Sequence, residues 1–302
     1  MAAGKHDPTK TDEMNVSRRD FIARSVAAGL VAATGQSFAA TLDVVESDVT
    51  VKTPDGTCDA AFIHPASRAY PGVIIWPDAG GLRPSMRDIG KRIAADGYSV
   101  LVPNPFYRVS KSPQFVTAAN LDFKDQELMA KIRVLMSSIQ AAGAAEKDAV
   151  AYVAFLDAQL QVDKTKKIGA QGYCMGGGLV VRTAATVPER IGAGASFHGG
   201  GLVTDKPDSP HLLAPKIKAR MYFGIAANDD QQQPDAKDKL KESFSKVGVP
   251  VEVEVYPARH GWCVPDMPVE SGAPLYDKAQ AERAWSKLVA LYKTLGNRHA
   301  IA

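Results

Sequence analysis

The sequence predicts an α/β fold with a mainly parallel sheet and helices on both faces, in a single domain. Three observations carry that expectation. From about residue 72 onward, short apolar runs alternate with helical stretches, the pattern of strands joined by helical crossovers. The run Gly72-Val73-Ile74-Ile75-Trp76 is apolar throughout and stops at Pro77, as a strand covered on both faces reads. Finally, Gln171-Gly172-Tyr173-Cys174-Met175-Gly176-Gly177-Gly178 lies between an apolar run and a helical one, which spells strand, tight turn and helix. A chain of 302 residues is long enough for one full core.

The first sixteen residues are polar and predict no regular element. They lead into Ser17-Arg18-Arg19-Asp20-Phe21-Ile22, a weakly apolar run over 26–33, and Ser37-Phe38-Ala39-Ala40. A charged region, an apolar region and small residues at a cut site read as a secretory signal, the apolar run being too short to span a membrane. The alternative is an amphipathic N-terminal helix. The paired arginines before Phe21-Ile22 resemble a twin-arginine export signal. That resemblance implies a signal over 1–39, cleaved after Ala39, and a domain over 40–302. It further implies twin-arginine export machinery as the precursor's partner, and a periplasmic or secreted destination without stable membrane association.

Extended segments follow over 44–52 and 58–64, separated by the turn signal Pro54-Asp55-Gly56. A helix over 85–96 leads through Gly97 into a strand over 99–102. Residues 119–160 read as mostly helical, with Val150, Val153, Leu156 and Leu160 on one core-facing side. Beyond the Cys174 segment, strands are expected over 191–197, 219–225 and 251–256, and helices over 235–247 and 278–295. Residues 41–302 contain no linker, repeat or low-complexity stretch.

A net charge of +3 with dispersed basic residues points away from nucleic acid and anionic membrane surfaces. Three cysteines (Cys58, Cys174 and Cys263) make no disulfide framework and no metal-ligand spacing, and an odd number leaves one thiol free.

The chemistry centres on Cys174. Glycines two before and two after it suit a strained turn that lifts a nucleophile above a sheet, at a helix start where dipole and free N–H groups favour a thiolate. The bland alternative is a Gly-rich turn around an inert buried cysteine. A nucleophile needs a base, and the base an orienting group. Ala226-Ala227-Asn228-Asp229-Asp230 follows one expected strand, and Arg259-His260-Gly261-Trp262 follows the next. His260 is the candidate base, and Asp229 is preferred to Asp230 as its partner. His198 also follows a strand but precedes the acid, which breaks the chain order of nucleophile, acid and histidine.

With these residues in place, Gly172-Tyr173-Cys174-Met175-Gly176-Gly177 resembles the nucleophile motif of the dienelactone hydrolase (carboxymethylenebutenolidase) family, whose fold is the α/β-hydrolase fold. The likeness covers most of residues 55–295. It includes Trp76-Pro77-Asp78-Ala79-Gly80-Gly81-Leu82, Met86-Arg87-Asp88, Val102-Pro103-Asn104-Pro105-Phe106-Tyr107-Arg108 and His260-Gly261-Trp262. It implies hydrolysis of a small-molecule lactone or ester through Cys174, His260 and Asp229, with no metal or organic cofactor. It assigns oxyanion donors to the backbone N–H groups of Ala79 and Met175, each such donor being worth about 3 kcal/mol. It implies that Asp78 activates the thiol, where the family type has glutamate, and that Arg108 binds a substrate carboxylate. A second family arginine is replaced by Val264, so the dienelactone substrate itself is not implied. Cys263 reads as an inert buried thiol or as a disulfide partner for Cys174. Three rival readings stand beside this one: an esterase or thioesterase of unrelated substrate, a non-catalytic binding protein on the same scaffold, and a thiol redox sensor.

Overall fold

The computed structural model describes residues 42–296, so the expected signal over 1–39 lies outside the described residues. The chain opens with an antiparallel hairpin, β1 (Val44–Thr53) and β2 (Gly56–Pro65), turning through Pro54-Asp55. Then follow β3 (Gly72–Trp76), α1 (Pro84–Ala95), β4 (Ser99–Pro103), α2 (Gln126–Gln140) and α3 (Ala144–Ala158). The second half contributes β5 (Ile168–Tyr173), α4 (Met175–Thr186), β6 (Ile191–Phe197), β7 (Arg220–Ala226), α5 (Ala227–Gln232), α6 (Ala236–Ser245) and β8 (Val251–Tyr256). A short hairpin of β9 (Val269–Glu270) and β10 (Ala273–Pro274) precedes α7 (Lys278–Lys293).

Eight strands form one sheet in the order β1-β2-β4-β3-β5-β6-β7-β8. The hairpin and its junction with β4 are antiparallel, and every later pairing is parallel. Period-two alternation divides the core. Ile74 and Trp76 point into the cluster roofed by α2, α3, α4 and α6, while Val73 and Ile75 point into the one roofed by α1 and α7. Burying each such side chain contributes about 1.5–3 kcal/mol. Because β3, β5, β7 and β8 run parallel, their C-terminal loops open on one edge, where a doubly covered sheet builds its site.

The expected strands all form, and one helical expectation needs correction. Residues 119–160 are mostly helical as expected, in two helices parted at Ala141-Ala142-Gly143, with Gly143 at φ +75°. Val153 and Leu156 are buried, but Val150 and Leu160 are exposed. At 100° per residue Val150 lies well round the helix from Leu156, at the stripe's edge, and Leu160 lies beyond the end of α3. Ala149 and Tyr152 fill the core-facing positions instead.

Candidate active site

Cys174 stands between β5 and α4 with φ 52° and ψ −117°, a conformation a side-chain-bearing residue adopts only under strain of about 1–3 kcal/mol. The flanking glycines are obligatory. A Cβ on Gly172 would sit 2.2 Å from the Gly176 carbonyl oxygen, and one on Gly176 would sit 2.3 Å from that of Trp76. The strain is held by hydrogen bonds on both sides of the peptide. The Cys174 N–H is shared between the Phe197 carbonyl (3.2 Å) and His198 Nδ1 (3.1 Å). The Cys174 carbonyl accepts from the Gly177 and Gly200 amides.

The loops after β7 and β8 bring Asp229 and His260 together. Asp229 Oδ2 lies 2.7 Å from His260 Nδ1, which leaves Nε2 for the sulfur of Cys174. Burial alone would lower the His260 pKa. Hydrogen bonds to Asp229 and to Cys174, and the attraction of both groups, outweigh it and push it up to about 10. Asp230, the alternative acid, gives both oxygens to Lys237 at 2.8 and 2.9 Å. One contact was not legible in the sequence: Asn228 Oδ1 accepts the backbone N–H of His260 at 2.8 Å, fixing the ring's loop.

His198 does not compete as base. It is fully buried, and because Nδ1 accepts the Cys174 amide, its ring proton sits on Nε2. Burial, then the neighbouring His260, hold its pKa well below the usual value, so it is a neutral acceptor. Its ring packs edge-on against those of His260 (4.8 Å) and Trp262 (5.2 Å).

Ala79 lines a cavity together with Cys174, and Met175 directly follows Cys174. Met175 is the first residue of α4, where helical N–H groups lack an intrahelical partner, and neither amide donates to a protein acceptor among the described residues. Asp78 departs from the expectation. Both of its oxygens receive Arg83 (2.7 and 3.0 Å), and Oδ1 also receives the Gly80 amide, so its hydrogen bonds run to that guanidinium and not to the thiol. Arg83 is completely enclosed and reaches on to Asp266 with two further bonds of 2.8 Å. A buried guanidinium thus ties the loop after β3 to the loop that carries His260. Sequence reading missed it; a lone arginine before Pro84 gives no hint of burial.

Arg108 also departs from its expected role. Its guanidinium is spent on Asp148 (2.7 and 2.8 Å), Asp55 (2.8 and 3.1 Å) and the Ala144 carbonyl. The reason is electrostatic: Asp148 is fully buried in α3, and its carboxylate needs a cation. Val264 is packed in the core. The three cysteines are free. Burial pushes the Cys58 thiol up to about 12 and raises that of Cys263, which lines a separate cavity with Tyr173, Phe197 and Trp285.

Two cavities meet at Cys174, and Met136 lines both. One, of about 650 Å³, holds His260, Ala79 and mostly apolar side chains from 118–136 and 267–275. The other, of about 660 Å³, lies over the start of α4 beside Gln140, Arg182, Lys206 and Asp208. Among the described residues no group of three or more His, Cys, Asp or Glu could hold a metal ion, and no helix is long and apolar enough to cross a membrane.

Comparison with known proteins places the chain in a family. The model of the dienelactone hydrolase family matches residues 58–296. A Methylorubrum extorquens protein, provisionally named a carboxymethylenebutenolidase, is 26% identical over 299 residues, covering 94% of this chain and 95% of its own. Among solved structures, a provisionally titled dienelactone hydrolase from Klebsiella pneumoniae superposes with a TM-score of 0.67 at 18% identity, covering 83% of this chain and 99% of its own. The dienelactone hydrolase of Anabaena variabilis gives 0.57 at 17%, covering 83% and 98%.

Proposed function

Since the chain belongs to the dienelactone hydrolase family and is a hydrolase of ester or lactone bonds, we propose that it works through Cys174 as nucleophile, His260 as acid and base, and Asp229 as orienting carboxylate. The observation that carries this reading is the histidine that joins Asp229 on one nitrogen to the strained, glycine-flanked Cys174 on the other.

The steps follow from the geometry. Cys174 and His260 rest as a thiolate–imidazolium pair, the proton on Nε2, and the sulfur attacks the carbonyl carbon. The developing oxyanion is received by the N–H groups of Ala79 and Met175, fixed donors that need no reorganisation. Collapse breaks the bond to the leaving oxygen, which takes the proton from His260 and leaves a thioester on Cys174. Water then gives a proton to His260 and attacks the thioester, and the acid departs as the sulfur leaves as thiolate beside the imidazolium. Asp229 keeps the imidazole in the tautomer this shuttle requires.

The test is to quench the enzyme during turnover of p-nitrophenyl acetate and map the acyl group by mass spectrometry. An acetyl group on the Cys174 peptide, blocked in step with iodoacetamide labelling of the same residue, is expected. Turnover that persists with Cys174 fully alkylated overturns the mechanism. Cys58 and Cys263, whose thiols burial keeps protonated, should label more slowly. The proposal extends to location: residues 1–39 serve as a twin-arginine signal, and replacing Arg18 and Arg19 with lysine should leave the precursor in the cytoplasm by fractionation.

A further inference from the structure

The two cavities that meet at Cys174 are chemically unequal, and His260 lines only one of them. A tetrahedral adduct on Cys174 projects two branches, acyl and leaving alcohol. The alcohol oxygen must take its proton from His260, so the alcohol occupies the chamber that His260 lines. That chamber is walled by Leu121, Met129, Ile132, Met136, Met267 and Leu275, with Phe123 at its rim.

Each charged group facing it has a partner of opposite charge, enclosed for Asp78 and at the exposed mouth for Arg259 and Glu270. Asp78 is held by Arg83, Arg259 by Glu270, and His260 by Asp229. The arginines that the family resemblance would assign to a carboxylate are absent from it: Arg108 is consumed by Asp55 and Asp148, and Val264 is packed away in the core. A carboxylate entering this chamber would lose its hydration and meet each cation only in competition with a carboxylate or sulfur already on it, Arg259 with Glu270 and His260 with Asp229 and Cys174, whereas an aryl or branched alkyl group would gain contact over its whole surface.

We propose that this enzyme selects esters whose leaving alcohol is uncharged, bulky and apolar, and discriminates against alcohols that carry a carboxylate. The inference rests on the hydrolase mechanism above.

Benzyl acetate and para-carboxybenzyl acetate make a matched pair of similar intrinsic reactivity. The expected result is a kcat/KM for benzyl acetate at least about tenfold higher, the scale on which an uncompensated group is rejected by an apolar pocket. Phe123→Lys, at an exposed rim position that leaves the core intact, should narrow that ratio by improving the charged ester. Equal or reversed preference in the native enzyme overturns the proposal, and so does a ratio that Phe123→Lys leaves unchanged while the variant is folded by circular dichroism. Both of these outcomes leave Cys174-dependent hydrolysis standing. Absence of hydrolysis of every ester would remove the underlying mechanism as well.

Discussion

Two carboxylate–cation assemblies lie in adjoining loops of this molecule, and they differ in what their charges have left to do. In Asp78–Arg83–Asp266, the guanidinium is fully enclosed and gives bonds to four carboxylate oxygens. In Asp229–His260, one ring nitrogen is bound and the other faces Cys174 at the meeting of two cavities. The first arrangement has spent its valences and can only hold shape; the second keeps one open and can move a proton. Buried charge alone therefore does not mark a reacting group.

The largest effect should come from the open assembly. His260→Ala is expected to lower kcat by roughly 10⁴-fold or more with the fold preserved, since nothing else nearby can shuttle the proton. Asp229→Asn should cost nearly as much by freeing the wrong tautomer, whereas Asp230→Asn should change ester turnover little, because that carboxylate serves Lys237. Steady-state kinetics on one ester separates the two aspartates, and a crippled Asp230→Asn beside an active Asp229→Asn would reverse the assignment.

The closed assembly should fail differently. Arg83→Met leaves two carboxylates without their cation and should destabilise the fold by about 3–5 kcal/mol, read from urea unfolding. Arg108→Met makes the milder version of the same cut. It strands Asp148 and should cost roughly 1.5–3 kcal/mol, with kcat/KM on a neutral ester unchanged. A lowered kcat/KM in Arg108→Met would restore this residue to the substrate site.

The sequence carried the open assembly better than the closed one. That Cys174, His260 and the Asp229-Asp230 pair would lie near one another was legible because each follows a strand, and a parallel sheet brings strand C-termini together whatever packs around them. The sheet was legible because β3 is apolar at every position. The fates of Asp78 and Arg108 were not, because motif position fixes where a side chain starts and not which partner takes it. Arg83 and Asp148 are separated in sequence from what they bind, by 183 residues in the case of Arg83 and Asp266. His198 and Asn228 act through a ring nitrogen and an amide oxygen on backbone N–H groups, and neither contact leaves a pattern in residue type.

The subtlest expected effect is on pH dependence, and it sharpens the same contrast. His260 is raised to about 10 by Asp229 and Cys174 despite its burial. A raised value means that the folded protein binds the proton more tightly than the unfolded chain. Its contribution to stability is full below the ordinary histidine value of about 6.5 and is lost as pH rises through 10. Catalysis should follow the same group, because the imidazolium must protonate the leaving oxygen. The alkaline limb of kcat/KM should therefore fall near pH 10 in the native enzyme. Asp229→Asn removes one of the upward pulls, so the limb of its residual activity should move toward neutrality. Arg108→Met, which touches neither partner, should leave the limb in place. Imidazole NMR shifts of His260, followed from pH 6 to 10.5 alongside the rate profiles, make the check; a native titration near 6.5 would mean that Asp229 and Cys174 do not hold the proton on this ring.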